Sequence, residues 1–414
     1  MQNIKRGRPK GSTNKPKNTN VMKVINLNKN IDNSPIINDN TPYEWISYGT
    51  KNNYPIHLLN LYHNSIIHKS CVDFLVSAIL GEGIDFKMMK MEGTETYPNF
   101  NDSWETFMHK IILDYILFGS FSFQVIKNKD GKTYSYYHQP FSTVRFGKKD
   151  ENGDIKFAYI CKDWSNTIVN KPIQIPIFNF TDDVNISSGK AYLFVYNEYN
   201  PFDEYYSTPS YISAIDAIRT DIEMKNYDLN ATLNMFTPSG ILTLNQVSDD
   251  DERNMILKNI EATFTSSENA NNIIVAFRNN VDDKPVEFVP IAQNSEGVNM
   301  FADTTNRTTD RIIAAHRIPN KALIGMPMDS TGFSNEGSLL QTSYNLLEKV
   351  VVSNIRKKIV GYINKMFGMN GIETEIIIKP LSFNLNNLKE TQTTNTNEVN
   401  KIDDNNIDYK SIKY

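Results

Sequence analysis

The sequence predicts an α+β chain, in which helices and strands are segregated along the chain instead of alternating as in a parallel-sheet fold. Three observations lead there. Apolar residues repeat at helical spacing over 54–80 and 103–117, then switch to a period of two between 121 and 196. Two long helical patterns, 208–236 and 299–316, flank a short strand-bearing insert. The longest helical pattern, 336–367, comes last. At 1.5 Å per residue it would span roughly 48 Å, more than a compact domain of this size needs.

A chain of 414 residues can hold two or three domains and a sizeable core. Its net charge of −4 excludes a whole-chain polycation, so a nucleic-acid role must rest on a local patch or on a surface that avoids sticking to DNA. The two cysteines, Cys71 and Cys161, make no paired spacing, which fits a reducing compartment and not a disulfide scaffold. No apolar run approaches the length of a membrane span. The basic N-terminus lacks the apolar stretch of a signal peptide, so none is expected.

Taken in order, residues 1–20 carry Lys5, Arg6, Arg8, Lys10, Lys15 and Lys17 and no acid, with Pro, Gly and Asn between them. Such a segment buries too little to order itself and is expected to be a disordered basic arm. Within it, Arg6-Gly7-Arg8-Pro9-Lys10 resembles the core of an AT-hook, an extended peptide in the minor groove of A·T-rich DNA. A narrow minor groove concentrates negative potential and favours inserted arginine. The plainer reading is a solvated basic tail. A polar linker to residue 40 follows.

One helix is expected from Tyr54-Pro55 to Gly81. It carries His57, His63, His68 and Cys71. His68 and Cys71 stand at i and i+3 and could share a metal, but no second ligand pair exists, so a surface histidine beside a buried cysteine is the expectation. The next helix runs from Ser103 to Leu117 and stops at Gly119. Phe121, Phe123 and Val125 then alternate with polar residues, and Asn128-Lys129-Asp130-Gly131 turns the chain into a partner strand, 133–138. A second hairpin turns at 150–153, and Ile155, Phe157, Tyr159 and Cys161 are expected on one face of its return strand. Ile173, Ile175 and Ile177 alternate next, and 191–196 is a last strand in what reads as an antiparallel sheet.

Thr208-Pro209 is expected to open a long helix to about Phe236. Its polar side includes the acids Asp216, Asp221, Glu223 and Asp228, by default a solvated face. Residues 240–291 read strand, helix, strand, strand. The helix is capped by Ser248, and Asp249-Asp250-Asp251 in its first turn is explained by the helix dipole better than by a metal. The helical run 299–316 breaks at Ile318-Pro319. The loop 320–333 carries Gly325, Pro327 and Gly332, and the longest helix starts at Ser334 or Asn335 and ends at Gly368.

Several stretches, in order, resemble the HK97-type phage portal protein family, whose members form a dodecameric ring at one capsid vertex. They are Asp114-Tyr115-Ile116-Leu117-Phe118-Gly119-Ser120, Tyr206-Ser207-Thr208-Pro209, the passage from Asn234-Met235-Phe236 to Gly240-Ile241-Leu242, Ile318-Pro319-Asn320-Lys321-Ala322-Leu323-Ile324-Gly325, and Phe333-Ser334-Asn335-Glu336. Asn320 stands where the family pattern has a second proline, and because the chain turns polar and short after Ser382 a helical crown like that of larger portals is not expected.

The resemblance implies a portal fold. Residues 41–205 and 336–383 would form a wing with a long spoke helix, 206–238 and 298–318 two stem helices, and 239–297 a small α/β clip. Residues 319–335 would be a tunnel loop, with 1–40 and 384–414 as arm and tail. It further implies a virion component, assembled in the host cytoplasm, that channels double-stranded DNA during packaging and ejection. The implied partners are further copies of the chain, the large terminase subunit, head–tail connector or neck proteins and the major capsid protein, with no membrane. Met326, Pro327, Met328, Asp329, Ser330, Thr331 and Gly332 would project into the bore, and the acidic helix face would line it, since a bore that passes DNA must not bind phosphate.

No catalytic residue, cofactor or metal is expected. The chain has no phosphate-cradling Gly-x-x-x-x-Gly-Lys-Ser/Thr, no Gly-x-Ser-x-Gly, no His-Glu-x-x-His and no Cys-x-x-Cys. The competing readings are a DNA-binding protein acting through its arm and a different capsid or tail component.

Overall fold

The computed structural model describes residues 40–87, 96–180, 186–234, 240–244, 273–277, 287–290, 295–327 and 336–382, with residues 35 and 37 and parts of 251–258. The expected arm and tail lie outside these residues, as do Ser248, Asp249 and Asp250.

The first helical pattern divides into α1 (Tyr54–Asn64) and α2 (Ile66–Leu80). Ser65 is extended at φ −91° and ψ 123°, and its Oγ accepts from the His68 amide at 3.1 Å. A serine that can cap a new helix competes with continuing the old one, which is why one expected helix became two. Pro55 sits in the first turn of α1, where its missing N–H costs nothing. Strand β1 (Ile84–Lys87) follows.

Helix α3 (Trp104–Phe118) opens at Ser103, whose side chain accepts from the Thr106 amide, and closes at Gly119 with φ +72°. A Cβ at Gly119 would lie 2.8 Å from the Thr208 carbonyl oxygen, so the close approach and the left-handed backbone both require glycine. Strand β2 (Ser120–Lys127) leaves directly from it and runs between β3 (Tyr134–His138) and, further along the chain, Ala191–Asn197. Both pairings are antiparallel, with Phe123 opposite His138 on one side and Phe194 on the other. The expected inward face of β2 is fully buried at Phe121, Phe123 and Val125.

The remaining strands of this region make a separate sheet of β4 (Val144–Phe146), β5 (Phe157–Ile160) and β6 (Ile173–Pro176), in that order. The strands therefore form two antiparallel sheets where one was expected, joined through a bridge between Ile177 and Leu193. Of the face expected for β5, Tyr159 and, just beyond the strand, Cys161 are buried in a small cluster with Trp164, whereas Phe157 is exposed, as is Ile173 of β6, and Ala158 on the opposite face of β5 joins the main core. Period two identifies a strand's faces; it does not say that anything covers both ends of one. The strand Ala191–Asn197 is β7.

Helix α4 (Ile215–Asn234) begins later than Thr208-Pro209 suggests, after a 3₁₀ turn over Ile212–Ala214. The residues between are used to close α3. Ser207 Oγ donates to the Phe118 carbonyl and Tyr211 Oη to the Leu117 carbonyl, each at 2.9 Å, satisfying acceptors that a helix end leaves open. Strand β8 (Gly240–Leu244) pairs parallel with β9 (Ile273–Phe277) and antiparallel with β10 (Glu287–Pro290). Residues 251, 252, 254–256 and 258 are helical.

Helix α5 (Ser295–Ala315) packs against α4 and α2. The longest pattern forms α6 (Glu336–Leu347), a π turn (Glu348–Val352) and α7 (Ser353–Met369), followed by β11 (Glu375–Ile378). It passes Gly368, placed at its end by the sequence, and turns at Gly371 with φ +68°. Beside the π turn, Arg356 is buried. Its Nε and Nη2 donate to the Ile79 and Ala78 carbonyls at 2.9 and 2.7 Å, and its guanidinium pairs with Glu348. It thereby closes the C-terminal end of α2. Strand β11 pairs antiparallel with β1, placing Ile84 opposite Ile378. One continuous core joins α1–α3, β2, β7, the start of α4, the end of α5 and the α6–α7 rod. No helix among the described residues is long and apolar enough to cross a membrane.

Candidate functional site

The candidate site is the place where α5 ends and the loop toward residue 326 begins, together with the outward face of α4. The exit from α5 is built from two successive capping turns. Arg317 takes the left-handed conformation at φ +59°. Its amide donates to Ala314 and that of Ile318 to Ile313, the paired bonds of a Schellman motif. Ile313 and Ile318 are both buried, which supplies the apolar contact that accompanies this cap. Pro319 then prevents the helix from resuming.

Asn320 is not a defective proline. Its Oδ1 accepts from the Ala322 amide at 2.9 Å and caps a 3₁₀ helix, Lys321–Ile324. Gly325, at φ +82°, ends that turn, with Gly325 N–H on Ala322 and Met326 N–H on Lys321. Met326 is half-buried against the main core and Pro327 is exposed. Of the expected loop residues, Met328, Asp329, Ser330, Thr331 and Gly332 lie outside the described residues, as do Arg6, Gly7, Arg8, Pro9 and Lys10 of the arm.

The end of α5 is held by a contact no local pattern announced. His68 of α2, expected on the surface, is fully buried, and its Nδ1 lies 2.9 Å from Nε2 of the buried His316. The Tyr211 ring packs on both imidazoles, with centroids 4.5 Å from His68 and 5.1 Å from His316. The outer nitrogens, His68 Nε2 and His316 Nδ1, have no protein partner. Burial disfavours the charged imidazolium, so His68 is held well below the usual histidine range and His316 down to about 4. Burial likewise pushes the Cys71 thiol, one turn along α2, up to about 12. Among the described residues, no three His, Cys, Asp or Glu side chains converge in a way that could hold a metal.

The four acids of α4 do not share one environment. Asp221 is half-buried and accepts from Ser65 Oγ at 2.6 Å, tying α4 to the α1–α2 break. Asp216, Glu223 and Asp228 are exposed. The two bases of α4 turn toward their own chain: Lys225 donates to the Asn64 carbonyl at the end of α1, and Arg219 lies 3.6 Å from Asp216.

A family model described as phage portal protein matches residues 79–401. No curated protein matches the sequence. Among solved structures, the chain is similar to one from the virion of a native gene transfer agent particle, with 12% identity, a TM-score of 0.52, and coverage of 85% of this chain and 91% of that one. It is similar to a chain in the neck of such a particle computed with C12 symmetry, with 13% identity, a TM-score of 0.51, and coverage of 84% and 89%. A HK97 family phage portal protein from Corynebacterium diphtheriae also matches, with 13% identity, a TM-score of 0.43, and coverage of 78% and 94%.

Proposed function

Because the chain belongs to the phage portal protein family, we propose that it forms a closed ring of twelve copies at one vertex of a virion capsid. The ring is the channel through which double-stranded DNA enters during packaging and leaves at ejection. It docks the large terminase subunit first and head–tail connector or neck proteins later, and the major capsid protein surrounds it. The family match carries this reading. Fold similarity to a neck chain from a particle computed with C12 symmetry supports the copy number.

In this reading α4 and α5 are the stem helices, the β8–β10 unit is the clip, and the remainder of the core is the wing. Met326–Gly332 is the part of the tunnel loop, 319–335, that projects into the bore. Its base is held by the capping turns at Arg317 and Gly325. Its side chains include two methionines, which adapt their shape, and one charge, Asp329. Such a surface brushes a duplex without gripping its phosphates. Packaging force comes from a separate motor, since the sequence has no phosphate-cradling loop.

Negative-stain images and native mass of the purified full-length chain test the ring directly. A stable monomer at micromolar concentration, with no rings on grids, overturns the reading. Replacing Met326–Gly332 by a short Gly-Ser link then tests the loop, with rings retained and DNA packaging or retention impaired. Met328→Lys with Ser330→Lys is expected to slow translocation. Phage carrying either change that package full-length genomes at wild-type yield would remove the loop from the mechanism.

A further inference from the structure

We propose that the buried pair His68–His316 is an acid-operated latch: gaining a proton drives the end of α5 off α2 and releases the 3₁₀ turn Lys321–Ile324 that follows, while α2 and the core behind it stay closed.

The pair can close only when neutral. A neutral imidazole has one N–H and one bare nitrogen. Across the 2.9 Å between His68 Nδ1 and His316 Nε2, one ring donates and the other accepts. The bare nitrogen left over is therefore an outer one, His68 Nε2 or His316 Nδ1, and both are buried without a protein partner. A proton added there makes a charged N–H with no acceptor and no solvent. Among the described residues, no acid compensates it. Asp73 of α2 is held by Lys69 and Tyr62, Asp221 of α4 accepts from Ser65, and Asp310 of α5 is exposed. Burial keeps Cys71 and Tyr211 neutral. The remaining groups on these elements, Arg219, Arg311, Arg317 and Lys321, are bases and could only oppose a positive charge.

The two sides of the pair are not held equally. His68 lies in the first turn of α2, where its amide donates to Ser65 Oγ, which in turn donates to Asp221. Beyond it Val72, Val76 and Ile79 of α2 are buried in the main core. His316 lies just past the last residue of α5, and the 3₁₀ turn after it packs on α2 with side chains that are only half-buried. Arg317, between the two, holds a left-handed backbone that is strained for a residue other than glycine. Segments with few buried contacts open first, so a charge on the pair displaces the α5 side.

Opening returns His316 to water. Closed, it titrates at about 4; its ordinary value is 6.5, so the open form takes up the proton first as the pH falls. Between pH 7.5 and pH 5 the opening constant therefore rises about thirtyfold through His316 alone. His68, displaced in the same direction by burial first and by His316 second, adds to this.

Hydrogen exchange of the full-length protein, read by mass spectrometry at pH 7.5, 6 and 5 and corrected for the intrinsic rate at each pH, tests the latch. In the wild type at pH 5, peptides covering 312–326 are expected to open at least about tenfold more often than peptides covering 71–79. Their opening constant is expected to rise about thirtyfold between pH 7.5 and pH 5. His68→Leu with His316→Leu is expected to abolish that rise. His68→Gln with His316→Gln, which keeps polar side chains without a titrating ring, takes its place if the leucine pair does not fold. Exchange in 312–326 no faster than in 71–79 would show that the junction opens only with the whole core, and would overturn the latch on the wild type alone. A rise that persists in the doubly substituted chain would overturn it as well.

Discussion

Acid should weaken the junction of α2, α4 and α5 through the buried histidine pair. Unfolded, His316 titrates near 6.5; folded, it titrates at about 4 because burial excludes the charged form. The folded value is the lower one, so the unfolded chain takes up the proton first. The stabilisation is therefore fully present above pH 6.5 and is lost progressively as the pH falls from 6.5 toward 4. Each pKa unit corresponds to about 1.4 kcal/mol, so the whole gap is worth about 3 kcal/mol, of which about 2 kcal/mol is lost by pH 5. His68 is displaced in the same direction, by burial first and by His316 second. The perturbation is His68→Leu with His316→Leu, which removes both titrating rings and their two unpartnered nitrogens. Replacing both partners of a polar contact by apolar groups of similar size is nearly neutral, so the variant should match the wild type at pH 7.5. Urea midpoints followed by tryptophan fluorescence at pH 7.5, 6 and 5, at one fixed protein concentration, give the comparison. The wild type should lose at least about 2 kcal/mol more than the variant between pH 7.5 and pH 5, the His316 share alone. Parallel losses in the two proteins would refute the assignment of that acid sensitivity to the pair.

Arg356→Leu should cost about 3–5 kcal/mol, because it leaves the Glu348 carboxylate and the Ala78 and Ile79 carbonyls without their buried donor; an unchanged urea midpoint would contradict this. Arg317→Gly should raise stability by about 1 kcal/mol, since it relieves a left-handed backbone in a non-glycine residue, and a lowered midpoint would show that the arginine side chain contributes more than its backbone costs. Deleting residues 5–17 should lower affinity for A·T-rich duplex, with the difference shrinking as salt rises, while ring assembly survives. Equal binding by truncated and full-length protein at low salt would assign the arm another role.

Much of the fold could be read locally. Ser103, Gly119 and the period-two run at Phe121, Phe123 and Val125 each state a helix start, a helix stop and a strand face within a few residues. Pro319 states a stop in the same way, because its ring and missing donor act on its immediate neighbours. The portal-like order of segments was legible for a related reason: the short stretches that carry it contain turn and cap residues, which act on the backbone next to them. For the candidate site, the sequence put the acids on the polar side of one helix but did not give their surroundings. It could not show that Asp221 is committed to Ser65 while Glu223 faces outward, because both lie on the polar side of one helix.

The sequence by itself determined the α+β class and the long helices, since those depend on spacing and on residues that restrict the backbone next to them. Tertiary structure decided the rest. It broke the first helix at Ser65, where a cap could also bind Asp221 on another helix. It delayed α4 so that Ser207 and Tyr211 could close α3. It buried His68 against His316, 248 residues away, and Arg356 against the end of α2. In each of these a polar group found a partner far along the chain, and burial made that partner worth more than the local preference it overrode.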